Sequence, residues 1–144
     1  MSAMPSVIDR FIDYYARLDN QPPTALAALY HQDAQLIDPF GEHKGLFAIQ
    51  RYFIHLLLNV DHCHFAIEAP VRDDSRFAVS WTMSWSHPRI AGGKTLSLPG
   101  CSMADIDNDL IVLQRDYYDA GAMIYEHVPL LGFAVRSVKR RVRS

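Results

Sequence analysis

A chain of 144 residues, 49% hydrophobic and 21% charged, has the size and composition of one globular domain around one core. Fourteen lysines and arginines against sixteen acids give a net charge of −2, but Arg136, Lys139, Arg140, Arg141 and Arg143 crowd into the last nine residues. The acidic body left behind argues against a nucleic-acid partner, whose phosphates need cations spread over the folded face. No apolar run is long enough for a spanning helix and no basic-then-apolar leader opens the chain, so a cytoplasmic protein is expected. Cys63 and Cys101 are too few for a disulfide framework and are expected as free thiols.

In chain order, Val7, Ile8, Phe11, Ile12, Tyr15 and Leu18 recur at three- and four-residue steps after Pro5 and predict a first helix. Gln21, Pro22 and Pro23 break it, and Thr24 caps a short second helix ending near His31. Ala34 to Asp38 reads as a strand stopped by Pro39 and Gly41, and Leu46 to Leu58 as a third helix.

The period then changes to two. Segments 64–71, 77–86, 94–106 and 110–118 are expected as four strands of an antiparallel meander, separated by Asp73-Asp74, Ala91-Gly92-Gly93 and Asp107-Asn108-Asp109. In the second of them Phe77, Val79, Trp81, Met83 and Trp85 share one face, read as core or dimer interface rather than ligand cage. Three helices packed on a curved antiparallel sheet make an α+β domain, placed at residues 1–122. Leu131, Val135, Val138 and Val142 then recur at helical spacing, so 123–144 is expected as a basic amphipathic tail. Two readings of it stand: an end packed on the domain, or a weak contact of its five cations with an anionic membrane surface.

Tyr30-His31-Gln32-Asp33-Ala34, Ile37-Asp38-Pro39-Phe40-Gly41, Gly45 and Ala48-Ile49-Gln50-Arg51-Tyr52-Phe53 together resemble the front half of a ketosteroid isomerase. Arg115-Asp116-Tyr117-Tyr118-Asp119 resembles the last strand of SnoaL-like proteins and limonene epoxide hydrolases, all of the nuclear transport factor 2-like superfamily. The resemblance implies a cone-shaped α+β barrel, a homodimer, no cofactor and a pocket for a small lipophilic molecule. It makes Asp38 the base that moves a proton on the carbon beside a carbonyl, and it makes Asp116 a second pocket carboxylate. Counting back without a gap, the oxyanion-hole tyrosine falls on Tyr14.

Elsewhere the chain departs from these patterns. The second oxyanion donor falls on Cys101, a weak donor, and the helix-three tyrosine on Phe53, which has no hydroxyl. Steroid isomerisation is therefore not expected. The stretch from Trp81 to Trp85 lacks the Arg-x-Asp pair of the epoxide hydrolases, so that chemistry is not expected either.

A carboxylate before proline sits on extended backbone and can project from a strand end, apolar walls raise its basicity, and a phenol can donate to a developing enolate oxygen. Alternation groups Gln114, Asp116 and Tyr118 on the pocket face of the last strand, and Ser97, Pro99, Cys101 and Met103 on the strand before it. Two functions fit: an isomerase-, cyclase- or dehydratase-type acid–base catalyst on a lipophilic carbonyl compound, or a non-catalytic binding or dimerisation module. Plainer roles stand beside these, with Asp38 as turn former, Tyr14 as core tyrosine and Asp116 as ion-pair partner. His62 and His64 share a face at a spacing metals use, but no third ligand is placed, and no metal site is expected.

Overall fold

The computed structural model describes residues 5–123 and 131–143. Helix α1 (Val7–Ala16) starts where the Ser6 hydroxyl accepts the Asp9 N–H and Asp109 Oδ1, from a distant hairpin, accepts the Val7 N–H at 2.9 Å. Its apolar stripe buries Val7, Ile8, Phe11, Tyr14 and Tyr15. The expected second helix is shorter than the sequence suggests: after a 3₁₀ turn at Leu18–Asn20, a second spans Pro23–Ala28. Strand β1 (Tyr30–Asp38) then begins where the helix was expected to end.

The Asp38-Pro39-Phe40-Gly41 turn closes a hairpin with β2 (Gly41–Lys44), a strand the sequence pattern does not separate from the turn. Helix α2 (Leu46–Leu57) follows and buries Ile49 and Phe53. The rest is sheet: β3 (His62–Ile67), β4 (Val71–Arg72), β5 (Arg76–Ser86), β6 (Leu96–Asp107) and β7 (Leu110–Tyr118). Asn108 and Asp109, at φ of 50° and 58°, form the two-residue turn that joins β6 to β7, the left-handed backbone Asn and Asp tolerate best.

The strands run in the order β2-β1-β7-β6-β5-β3, with β4 pairing β5. The expected antiparallel meander is present in β3, β5, β6 and β7. β1 is the exception, pairing with β7 in parallel. That pairing sets Ile37 opposite Arg115, bringing the end of β1, and with it Asp38, beside Asp116. The helices bury Phe11, Leu18, Leu26 and Ile49 with Leu36, Phe77, Val79 and Trp81 of the sheet, giving the mixed, cone-like α+β architecture.

The expected boundary at 122/123 falls within the short helix α3 (Ala120–Met123), and residues 124–130 of the tail lie outside the described residues. Helix α4 (Leu131–Arg143) carries the tail's cations. Lys139 pairs with Asp119 of the domain, while Phe133, Val138 and Val142 are exposed. Among the described residues no helix is long and apolar enough to cross a membrane.

Candidate functional site

Where β1 turns away from β7, an open notch of about 610 Å³ is lined by Ile37, Asp38 and Pro39 and by Arg115 to Asp119. Behind it a narrow apolar cavity of about 40 Å³ runs between the helices and the sheet, walled by Tyr15, Phe53, Phe65 and Trp81. Asp38, Asp116 and Tyr118 line both spaces and so form the neck between them. Adjoining it, a more open apolar chamber of about 250 Å³ shares Leu56, Cys63, Met83 and Met123 with the narrow cavity.

Asp116 points inward because β7 alternates: Gln114 is buried and Tyr118 half-buried on its face, whereas Arg115 and Tyr117 are exposed on the other. Its Oδ1 accepts two hydrogen bonds, from the Ser102 hydroxyl at 2.7 Å and from Gln114 Nε2 at 2.9 Å. Its Oδ2 takes no hydrogen bond from the described residues. Burial pushes the Asp116 carboxyl up to about 6, the nearby Asp38 charge adds to the rise, and the two hydrogen bonds oppose it.

Behind Asp116 lies a buried polar chain. Tyr30 donates to Gln114 Oε1 at 2.5 Å, so the 2.6 Å contact between the Tyr15 and Tyr30 hydroxyls is donated by Tyr15. On the other side Trp81 Nε1 donates to Ser102 Oγ at 2.9 Å, which frees the Ser102 proton for Asp116. Tyr30 and Gln114 are almost wholly buried, and this chain satisfies the polar atoms that burial would otherwise strand.

Asp38 is held differently. The Phe40 N–H donates to its Oδ1 at 2.9 Å, and the Tyr52 hydroxyl donates to its Oδ2. The first bond is the turn chemistry expected of Asp-Pro-Phe-Gly; the second orients the same carboxylate at the neck. His43 stacks on the Tyr52 ring at 3.8 Å. Burial and the Asp38 contact push the Tyr52 phenol up, and burial with the Asp38 charge does the same to Tyr118. Both are neutral hydroxyls at ordinary pH.

The structure brings Asp38, Asp116, Tyr118 and Phe53 together around the narrow cavity. Gln114 sits one layer behind, against Asp116. Three expectations are displaced by one residue. Tyr14 is buried on α1, with its phenol pushed up to about 12 by burial, but it is Tyr15 that lines the cavity and joins the polar chain to Asp116. Phe53 does wall the cavity, but the hydroxyl of α2 belongs to Tyr52.

On β6 the inward face carries Leu98, Gly100, Ser102 and Ala104, so Cys101 and Met103 belong to the outer face, Met103 at 40% exposure. The pocket wall expected from Ser97, Pro99, Cys101 and Met103 is thus the opposite side of the strand. Trp81 demands this register: a Cβ at position 100 would stand 2.2 Å from its Cη2, so only glycine fits beneath the indole. Cys63, the cysteine that does reach the cavity, has its thiol pushed up to about 12 by burial, which leaves it a poor nucleophile.

Tyr52, Ser102, Tyr15 and Tyr30 are site residues that the sequence pattern does not single out. Tyr15 stands in it only as a member of an apolar helical stripe, and Tyr30 and Tyr52 only within the segments that carry the resemblance. Ser102 carries no signal beyond its place beside Cys101.

No curated protein matches the chain in sequence. Solved structures share its fold at low identity. One is a protein with a ketosteroid isomerase-like fold from Catenulispora acidiphila, in complex with trimethylamine (TM-score 0.73, 14% identity, covering 87% of this chain and 93% of that one). A second is an NTF2-like protein of unknown function from Burkholderia pseudomallei (0.72, 16%, 84% and 96%). A third is a SnoaL-like polyketide cyclase from Agrobacterium tumefaciens (0.68, 16%, 83% and 96%). Residues 11–114, most of the chain, with Asp38 of the neck but neither Asp116 nor Tyr118, match the SnoaL-like domain, and the chain belongs to that family.

Proposed function

We propose that this chain is a cofactor-independent acid–base catalyst of the isomerase or cyclase type, acting on a small lipophilic carbonyl compound, with Asp116 as the group that moves the proton. The observation that carries the reading is the asymmetry of the two carboxylates. Asp38 has both oxygens engaged, whereas Asp116 keeps Oδ2 without a donor among the described residues and has its carboxyl raised to about 6. A group titrating near the working pH serves best as both base and acid.

In this reading the substrate enters from the notch with its apolar part towards the chamber, and its carbonyl oxygen meets the Tyr118 hydroxyl. Asp116 Oδ2 takes the proton from the adjacent carbon, leaving an enolate whose negative oxygen accepts the Tyr118 hydrogen bond. The enolate then either recovers that proton at another carbon, which is isomerisation, or attacks a second carbonyl carbon. In the latter case a carbon–carbon bond closes a ring and the new alkoxide takes the proton from Asp116, which is aldol-type cyclisation. Asp38, fixed by Tyr52 and Phe40, keeps the neck polar and raises the basicity of Asp116 by its charge.

The narrowness of the inner cavity, about 40 Å³, supports a second reading in which the site only holds a small apolar ligand. Deuterium exchange separates the two. Incubated in D₂O with β,γ-unsaturated ketones and polyketide-like β-keto esters, the wild-type chain should label the carbon beside the carbonyl faster than buffer alone, and Asp116→Asn should not exceed the buffer rate. Exchange by neither protein, together with saturable binding of the same compounds, is the outcome expected of a binding module.

A further inference from the structure

We propose that Asp19, His62 and His64 form a binding site for a divalent transition-metal ion of the zinc class, at the β3 edge of the sheet and outside the carboxylate neck. β3 is the last strand of the sheet order, and its alternation sends Cys63 and Phe65 into the cavity and His62 and His64 to the other face. The 3₁₀ turn after α1 brings Asp19 to that free edge. Its Oδ2 accepts the Cys63 N–H at 2.9 Å and lies 3.2 Å from His64 Nε2. The sequence shows the two histidines; the fold supplies the third ligand.

One donor atom from each of the three residues lies within 4.8 Å of the others. The two imidazole rings are 4.4 Å apart between centroids. Among the described residues three buried side-chain polar atoms have no hydrogen-bond partner, and two of them, Asp19 Oδ1 and His62 Nε2, belong to this cluster. Native interiors rarely leave such atoms unpaired, and a cation between them pairs both.

Two imidazoles and one carboxylate suit Zn²⁺, Co²⁺ or Ni²⁺, not Ca²⁺ or Mg²⁺, which take oxygen donors. Tetrahedral coordination puts ligand atoms about 3.4 Å apart, and Asp19 Oδ2 and His64 Nε2, at 3.2 Å, already stand near that spacing. Three protein ligands leave a fourth position for water. An ion there would clasp the segment after α1 to an edge strand whose Cys63 and Phe65 form one wall of the cavity, and so stiffen that wall from outside.

The test uses the full chain, stripped with a chelator and titrated with ZnCl₂ by calorimetry and with CoCl₂ by visible absorption. One Zn²⁺ per chain with a micromolar or tighter Kd is expected, and Co²⁺ should give the d–d band of four- or five-coordinate nitrogen and oxygen ligation. His62→Ala, His64→Ala and Asp19→Asn, the last keeping an oxygen for the Cys63 N–H, should each weaken binding by about tenfold or more. His55→Ala, an exposed histidine of α2, should leave it unchanged. Where a variant does not fold, the imidazole ¹⁵N shifts of the wild type decide, since Zn²⁺ should move those of His62 and His64 and no others. No saturable binding below about 1 mM, or a Kd indifferent to His62→Ala and His64→Ala, would overturn the site.

Discussion

Tyr52 donates its hydroxyl proton to Asp38 Oδ2, and the ring that carries this hydroxyl is stacked against His43 at 3.8 Å. The pair therefore behaves as one fixed polar unit at the neck. Asp116, across from it, has one oxygen held by Ser102 and Gln114 and the other without a donor among the described residues. A fixed and a working carboxylate should respond differently to substitution.

Removing the working carboxylate should cost activity and add stability. Asp116→Asn is expected to lower proton transfer by about 10²–10⁴-fold, the range for losing a general base. The Asp116 carboxyl is higher in the folded chain, about 6, than in the unfolded one, about 3.9. Its contribution to stability is therefore fully present below about pH 4 and lost as the pH rises through 6, a loss of about 3 kcal/mol at neutral pH. Asn can accept the same two hydrogen bonds without the charge. Thermal unfolding should accordingly show the variant more stable than wild type at pH 7 and the difference vanishing near pH 4.

The charge of Asp38 helps to hold Asp116 up. In Asp38→Asn the acid limb of the pH–rate profile, set by ionisation of Asp116, should move to lower pH. An unmoved limb would show that the two carboxylates do not interact across the neck.

Ser102→Ala removes a hydrogen bond that favours the ionised form of Asp116, so the same limb should move to higher pH. It also strands the buried Trp81 Nε1, a loss of about 1–3 kcal/mol measurable by denaturant unfolding. Ser102→Thr, which keeps the hydroxyl, should restore the limb.

Gly100→Ala tests the inward register of β6. A methyl group there meets three atoms of the Trp81 ring at 2.2 to 2.6 Å, so the indole must move. Destabilisation of about 1–3 kcal/mol and an altered tryptophan emission are expected. Cys101→Ala, on the outer face, should change neither.

Much of this architecture is legible in the amino-acid pattern. The alternation of β5 and β7 places Trp81, Met83, Gln114, Asp116 and Tyr118 on the faces they occupy, because on those strands hydropathy and burial agree. On β6 they disagree. The inward positions carry Gly100 and Ser102, which suit the bulk and the N–H of Trp81, while Cys101 and Met103 face outward, and a period of two turns a one-residue error into the wrong face.

On a helix one residue is about 100° of rotation. That is the difference between Tyr14 and Tyr15, and between Phe53 and Tyr52. Adjacent aromatic residues give no hydropathy signal to choose between them. The parallel pairing of β1 with β7, and the approach of Asp19 to His62 and His64, are tertiary contacts without a local signature.

Whether Asp116 is the proton-moving group is decided by a ¹³C NMR titration of the aspartate carboxyls in the full chain, with Asp116→Asn to assign the resonance. The Asp116 carboxyl should titrate near 6, and Asp38→Asn should lower its midpoint. A midpoint near 3.9, the ordinary value for an aspartate, would contradict the assignment, because a carboxyl of that acidity is neither buried as described nor poised to move a proton at neutral pH.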